Sequence, residues 1–130
     1  MQAEQKMTDA DDRDSIARAI QTYVDGGKSG KSADMKPAFH DGAIIYGYAG
    51  PDLFGGPIQI LFDWVDTTPP ASDLKSSITT IDIEGTVATA RVELYNWSGR
   101  RFTDMFTLLK TDGEWKITSK VFYLHPESYE

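Results

Sequence analysis

The sequence contains no cysteine. That excludes disulfides, thiolate metal sites and cysteine nucleophiles, and it fits a reducing compartment, so a cytoplasmic location is expected. Only two histidines are present, His40 and His125, far apart in the chain, which gives a histidine-based metal site little support. No apolar run approaches the roughly 20 residues of a membrane-spanning helix. The opening stretch MQAEQKMTDADDRD is polar and acidic, unlike a signal peptide. Lys and Arg number 13 against 20 Asp and Glu, giving a net charge of −7 with no basic cluster. That balance argues against nucleic acid and anionic membranes as partners. There is no Gly-x-Ser-x-Gly elbow. Gly55-Gly56-Pro57 lacks the further glycines and the lysine of a phosphate loop, and the acids from Asp9 to Asp14 do not match a calcium loop. No metal and no organic cofactor is expected.

What is present suits one domain with one core: 130 residues, 40% hydrophobic and 12% aromatic. The most informative segment is RFTDMFTLLKTDGEWKITSKVFYLH, residues 101–125. Two alternating runs flank Asp112-Gly113, a strong hairpin signal. With those two as the loop, Thr111 faces Glu114, Lys110 faces Trp115, Leu108 faces Ile117, Phe106 faces Ser119 and Asp104 faces Val121. Strand side chains alternate. One face then carries Phe102, Asp104, Phe106 and Leu108 with Trp115, Ile117, Ser119, Val121 and Tyr123, and should cover the core. The other carries Met105 and Phe122 among Thr and Lys and should meet solvent or a second subunit.

Upstream, Thr8 or Asp9 can cap a helix whose first turns hold Asp11, Asp12 and Asp14, as the helix dipole favours. Ile16, Ile20, Tyr23, Val24 and Gly27 follow helical spacing, and Gly26-Gly27 should end that helix. Met35, Ala38 and Phe39 suggest a short second helix. Residues 43–49 read as a strand and 50–56 as a loop. Pro57 suits the first turn of a third helix, with Ile58, Leu61, Phe62 and Val65 inward. Strands follow at 75–83 and 86–97, joined at Glu84-Gly85, and the hairpin supplies two more. We expect residues 1–7 to be a flexible leader, 8–125 a single domain and 126–130 a tail. Helices followed by a strongly curved, mostly antiparallel sheet make an α+β layout that leaves a hollow for a small molecule.

Several segments carry a family resemblance: Ala38-Phe39-His40-Asp41-Gly42-Ala43, Ala88-Thr89-Ala90-Arg91-Val92, Arg101-Phe102-Thr103-Asp104, and Asp112-Gly113-Glu114-Trp115-Lys116-Ile117 with Lys120-Val121-Phe122-Tyr123. On these the chain resembles the nuclear-transport-factor-2-like superfamily, a cone-shaped, cystatin-like α+β fold. Within it, the chain looks like the group labelled putative lumazine-binding proteins. Such relatives often carry Pro and Asp after the loop histidine, where this chain has Asp41-Gly42. The superfamily holds isomerases, dehydratases, polyketide cyclases and non-catalytic binders, so the resemblance implies a pocket more firmly than a reaction.

Two residues are candidates for catalysis. Asp104 in an apolar pocket would have a raised pKa and could act as a general base, as a pocket carboxylate does in ketosteroid isomerase. Alternatively it is a structural group paired with Arg91, Arg100 or Arg101. His40, at a bend after a helix, could be its acid/base partner, or a helix-terminus histidine bonded to backbone. The candidate ligand-binding residues are Tyr46 and Tyr48, which share a strand face; Phe54 and Trp64 at the pocket mouth; Asn96, which shares a face with Ala88, Ala90, Val92 and Leu94; and Phe106, Ser119 and Tyr123 from the hairpin. Either tyrosine could instead pack at the sheet edge, and the aromatics could be plain core. Tyr95 and Trp97 should point outward, a hint of a dimer face, unless a bulge near Trp97-Ser98-Gly99 turns one inward. His125 should be exposed near the chain end. Three functions follow: a cofactor-independent isomerase, dehydratase or cyclase acting on a small hydrophobic or aromatic molecule; a non-catalytic binder of a lumazine-like heterocycle; or a homodimeric assembly domain.

Overall fold

Ile16, Ile20, Tyr23 and Val24 form the buried stripe of the long first helix, as their spacing requires. The computed structural model describes residues 2–126, with side chains from Asp9 onward. The helix, α1 (Gln2–Ser29), starts before the expected cap and continues through Gly26-Gly27. The reason is close packing. A Cβ on Gly26 would lie 2.5 Å from Met35 Cβ, and one on Gly27 2.8 Å from the Trp97 ring. The glycines admit neighbours rather than stop the helix, and Gly30, at φ +72°, turns the chain instead.

A short α2 (Ser32–Met35) and a 3-10 turn (Lys36–Ala38) lead into β1 (Phe39–Ala49). The stretch expected as a loop is largely a strand, β2 (Asp52–Pro57), paired antiparallel with β1. Glycines obscured it: Gly55 lies opposite Tyr46, whose ring occupies the space a side chain would need. Pro57 closes this edge strand, where no ladder donor is required, instead of opening the helix. α3 (Gln59–Thr67) follows, with Leu61, Phe62 and Val65 buried as expected. Then come β3 (Lys75–Glu84), β4 (Val87–Trp97), β5 (Arg100–Thr111) and β6 (Glu114–Leu124).

The six strands form one sheet in the order β2-β1-β6-β5-β4-β3, antiparallel except where β1 runs parallel to β6. The core lies between its inner face and the helices. Ala88, Ala90, Val92, Leu94, Phe106, Leu108, Trp115 and Ile117 point into it. No helix among the described residues is long and apolar enough to cross a membrane.

Two irregularities decide the sidedness of the sheet. The β5–β6 hairpin keeps the expected register from Thr111↔Glu114 to Leu108↔Ile117, then shifts so that Thr107 pairs with Ser119. Thr118 is the extra residue, a β-bulge, and hydroxyls hold it: Thr107 Oγ1 lies 2.7 Å from Thr118 Oγ1 and 2.6 Å from Ser119 Oγ. Beyond it every β6 side chain is reversed relative to the expectation. Lys120 and Phe122 face inward opposite Phe106 and Asp104, while Val121 and Tyr123 face outward. The second irregularity, between Leu94 and Trp97, turns Trp97 inward and leaves Tyr95 outside. It corrects the outward assignment of Trp97 and realises the bulge alternative.

Asp12 fastens α1 to the hairpin. Its buried Oδ1 accepts from Trp115 Nε1 and Lys110 Nζ, each at 2.9 Å. These donors hold its carboxyl below the usual range against the opposing effect of burial. Asp12→Ala would strand a buried indole N–H. Chemical denaturation should show a stability loss of roughly 1–3 kcal/mol; an unchanged midpoint would mean that the helix is docked by its apolar stripe alone.

Candidate functional site

The far halves of β1 and β6, together with α3, enclose a cavity of about 230 Å³ in the concave side of the sheet. That is below the roughly 300–1,000 Å³ of pockets for drug-sized ligands, so it suits a small one. Its wall is aromatic and aliphatic: Ile45, Ala49, Phe54, Ile60, Leu61, Trp64, Trp97, Phe102, Phe122 and Leu124. Two charged residues interrupt it, Lys120 and Arg100. The Arg100 guanidinium lies over the Trp64 ring, 5.5 Å from its centroid.

Lys120 is 4% exposed. Its Nζ sits among four rings, 5.0 Å from the centroid of Tyr23, 5.4 Å from Trp97, 5.5 Å from Phe122 and 5.9 Å from Phe102. Each distance is within cation–π range. Asp104, fully buried, lies behind it with Oδ2 3.8 Å from Nζ. The Tyr23 hydroxyl donates to the same oxygen at 2.6 Å. Oδ1 has no hydrogen-bond partner among the described residues.

The electrostatics follow from this burial. Loss of water pushes the Asp104 carboxyl up, and the Lys120 charge and the Tyr23 hydrogen bond only partly oppose it. Loss of water likewise pushes the Lys120 ammonium down, against the attraction of Asp104. The two groups are driven towards each other, so the ionised and neutral forms of the pair are closer in energy than in water. Tyr23 stays protonated, its phenol raised by burial and by the adjacent carboxylate.

The arginines named as alternative partners of Asp104 go elsewhere. Arg91 Nε and Arg101 Nη1 reach Glu93, at 2.8 and 2.9 Å, on the outer face of the sheet. The cation beside Asp104 is Lys120, which the sequence reading placed on the solvent side. Asp104 itself does not line the cavity; Lys120 does.

Of the other candidates, Phe54 and Trp64 line the cavity. Phe106 forms core instead, edge-on to Tyr23. His40 lies at the start of β1, at the opposite end from the cavity, where Nδ1 accepts the Gly42 N–H at 2.9 Å. It is not brought together with Asp104, and the backbone-bonded alternative holds. Tyr46 and Tyr48 are exposed on the outer face, because Ile45 and Gly47 take the inward positions of β1. Asn96 is exposed in the left-handed conformation (φ 64°), its Oδ1 accepting the Gly99 N–H at the turn between β4 and β5. The Thr118 bulge sends Ser119 and Tyr123 outward. His125 is half-buried, not exposed, with Nε2 2.9 Å from Thr103 Oγ1. Lys120, Tyr23 and Arg100 were missed as site residues. The adjacent Thr118-Ser119 pair is the one local sign of the bulge that brings Lys120 in.

A family model described as putative lumazine-binding matches residues 11–123. The chain belongs to that family. The chain is 32% identical over 114 residues to aldolase FrzH of Cladobotryum sp, covering 87% of this chain and 91% of the relative. Among solved structures it resembles a nuclear-transport-factor-2-like protein of unknown function from Methylobacillus flagellatus KT, with 49% identity, TM-score 0.86 and coverage of 88% and 93% of the two chains. A similar protein from Shewanella baltica OS155 gives 42% identity, TM-score 0.85 and coverage of 90% and 96%. The fold is thus nuclear-transport-factor-2-like, as the resemblance implied.

Tyr23→Phe tests the hydrogen bond behind the site. It removes the donor to Asp104 Oδ2 and should cost roughly 1–3 kcal/mol at neutral pH. A protonated Asp104 no longer needs that donor, so the deficit should shrink as pH is lowered through the raised pKa of Asp104. A deficit independent of pH would show that the hydroxyl does not serve the ionised carboxylate.

Proposed function

We propose that this protein binds a small hydrophobic or aromatic molecule and carries out cofactor-independent proton transfer beside its carbonyl group, as in an isomerisation, dehydration or cyclisation. One observation carries the reading: a lysine and a carboxylate are buried together, and the lysine faces an otherwise apolar cavity. In this arrangement Lys120 passes a proton to Asp104, its neutral amine takes the proton from the α-carbon, and the ammonium so restored donates to the carbonyl oxygen, where the negative charge develops. His40 has no part in it. The likeness to an aldolase supports the reading, because an aldolase makes or breaks a carbon–carbon bond next to a carbonyl. Non-catalytic binding of a heterocycle is the second reading. It is favoured by the ring-lined wall and by the withdrawal of Asp104 from the cavity surface.

Both readings predict that aromatic ketones such as phenylacetone quench the fluorescence of Trp64 and Trp97 at the cavity. Only the enzyme reading predicts that the protein speeds exchange of the ketone's α-protons in heavy water, followed by NMR. Asp104→Asn should slow that exchange by about 10²–10⁴-fold. Binding without exchange above the buffer rate would leave the binding reading in place.

The proposed protein partner is a second copy of the chain, through the outer sheet face. Tyr46, Tyr48, Tyr95, Met105, Val121 and Tyr123 are exposed there, with Val121 lying between Tyr46 and Met105 in the register. Trp97 and Phe122, expected on this face, are replaced by the β1 tyrosines and by Val121 and Tyr123. Sedimentation velocity should show a dimer that Val121→Lys dissociates; a monomeric native chain would remove this part of the proposal.

A further inference from the structure

We propose that Lys120 Nζ is a nucleophile that condenses with a ketone or aldehyde held in the cavity, forming an iminium ion with loss of water. This deepens the proposed function and rests on it for the substrate class.

Three features meet at Nζ. It lies on the cavity wall, with aromatic faces as neighbours and no hydrogen bond to it among the described residues. Its nearest proton acceptor, Asp104, stands behind it and not between it and the cavity, with Oδ1 unpartnered. The titratable groups beside it are Asp104 from β5 and Tyr23 from α1, and Arg100 shares the cavity wall; of these only Asp104 can take its proton, since Tyr23 stays protonated and a guanidinium has no acceptor atom. A surface lysine is a poor nucleophile at neutral pH because its lone pair carries a proton. A desolvated lysine beside a proton acceptor is a good one.

The step balances. The ammonium passes a proton to Asp104, leaving a neutral amine and a carboxylic acid. The amine lone pair attacks the carbonyl carbon, and the C=O π pair moves to oxygen, which takes one of the two N–H protons to give a neutral carbinolamine. Asp104 returns its proton to the nitrogen, which hands one of its protons on to the hydroxyl; the hydroxyl departs as water while the nitrogen lone pair forms the C=N bond. The product is an iminium cation beside a carboxylate, the same total charge as at the start. The cation remains among the rings that held the ammonium.

The probes are acetylacetone and its phenyl analogue benzoylacetone. An amine that condenses with a β-diketone is held as a conjugated enaminone, stable without a reductant and absorbing in the near ultraviolet. Incubation of the whole protein at neutral pH should add the mass of one diketone less one water, and peptide mapping should place it on Lys120. At neutral pH labelling there should outpace that of the exposed Lys31 by about tenfold or more, and it should persist at lower pH values where Lys31 no longer reacts. Lys120→Arg keeps a cation beside Asp104 but cannot form the adduct and should show none at this site. Labelling no faster at Lys120 than at exposed lysines, or its absence with both diketones, overturns the proposal, and the native peptide map decides even if the variant fails to fold. Ketone-dependent α-proton exchange without an adduct would overturn covalent chemistry while leaving the proposed function intact. An adduct without exchange would support the nucleophile and remove the enzyme reading.

Discussion

Taking Lys120 and Asp104 out of water together costs several kcal/mol per ion before their mutual attraction is counted. At 3.8 Å, with no hydrogen bond between them, that attraction is far from optimal. Replacing such a pair by apolar groups of similar volume is commonly neutral or stabilising by about 1–4 kcal/mol. The surroundings would favour it, because Phe102, Phe106, Trp97 and Tyr23 already form a continuous aromatic core. A pair of this kind, meeting the cavity on one side only, fits the reactive role proposed for it. The alternative that paired Asp104 with an arginine named a cation, and the cation is Lys120.

The two faces of the sheet treat a carboxylate in opposite ways, and the contrast shows what is particular about the inner one. Glu93, on the outer face of β4, accepts from the Thr103 hydroxyl at 2.6 Å and is clamped by Arg91 and Arg101. Those bonds outweigh burial and bring its carboxyl down to about 2. Asp104, one residue along β5 from Thr103 and on the opposite face, has one short hydrogen bond and one distant cation, and burial wins. The contrast fits the proton-exchanging role proposed for Asp104.

The fold was legible because its signals are local. Asp112-Gly113 set the β5–β6 turn, and the helical stripe from Ile16 to Val24 set the buried face of α1. What was illegible depended on contacts between distant segments. Gly26-Gly27 signals a helix end in isolation, but Met35 and Trp97 pack against those glycines within a continuous helix. The run Asp52–Pro57 has a loop composition and becomes a strand because Tyr46 covers its glycines. The site was the least legible part. In β6, Lys120, Phe122 and Leu124 are scarcely more apolar as a set than Ser119, Val121 and Tyr123, so alternation could not choose between faces. The single residue Thr118 made that choice. A parity change at the irregularity between Leu94 and Trp97 likewise turns Trp97 inward and puts Asn96 in a turn.

Tyr23 links the site to the docking of the whole first helix. It is 81 residues from Asp104 in sequence, its ring packs on Phe39, Trp97 and Phe106, and its hydroxyl holds the one short hydrogen bond of Asp104. Three turns earlier on the same helix, Asp12 is fixed to Trp115 and Lys110 of the hairpin that carries Asp104 and Lys120. The helix therefore meets the hairpin at two polar points with an apolar stripe between them, which defines its rotation and its position along the sheet. A rotation that kept the stripe buried but moved the Tyr23 hydroxyl away would leave Asp104 with only the distant Lys120 charge. The electrostatics of the pair are thus set by the helix as much as by the two strands that carry it.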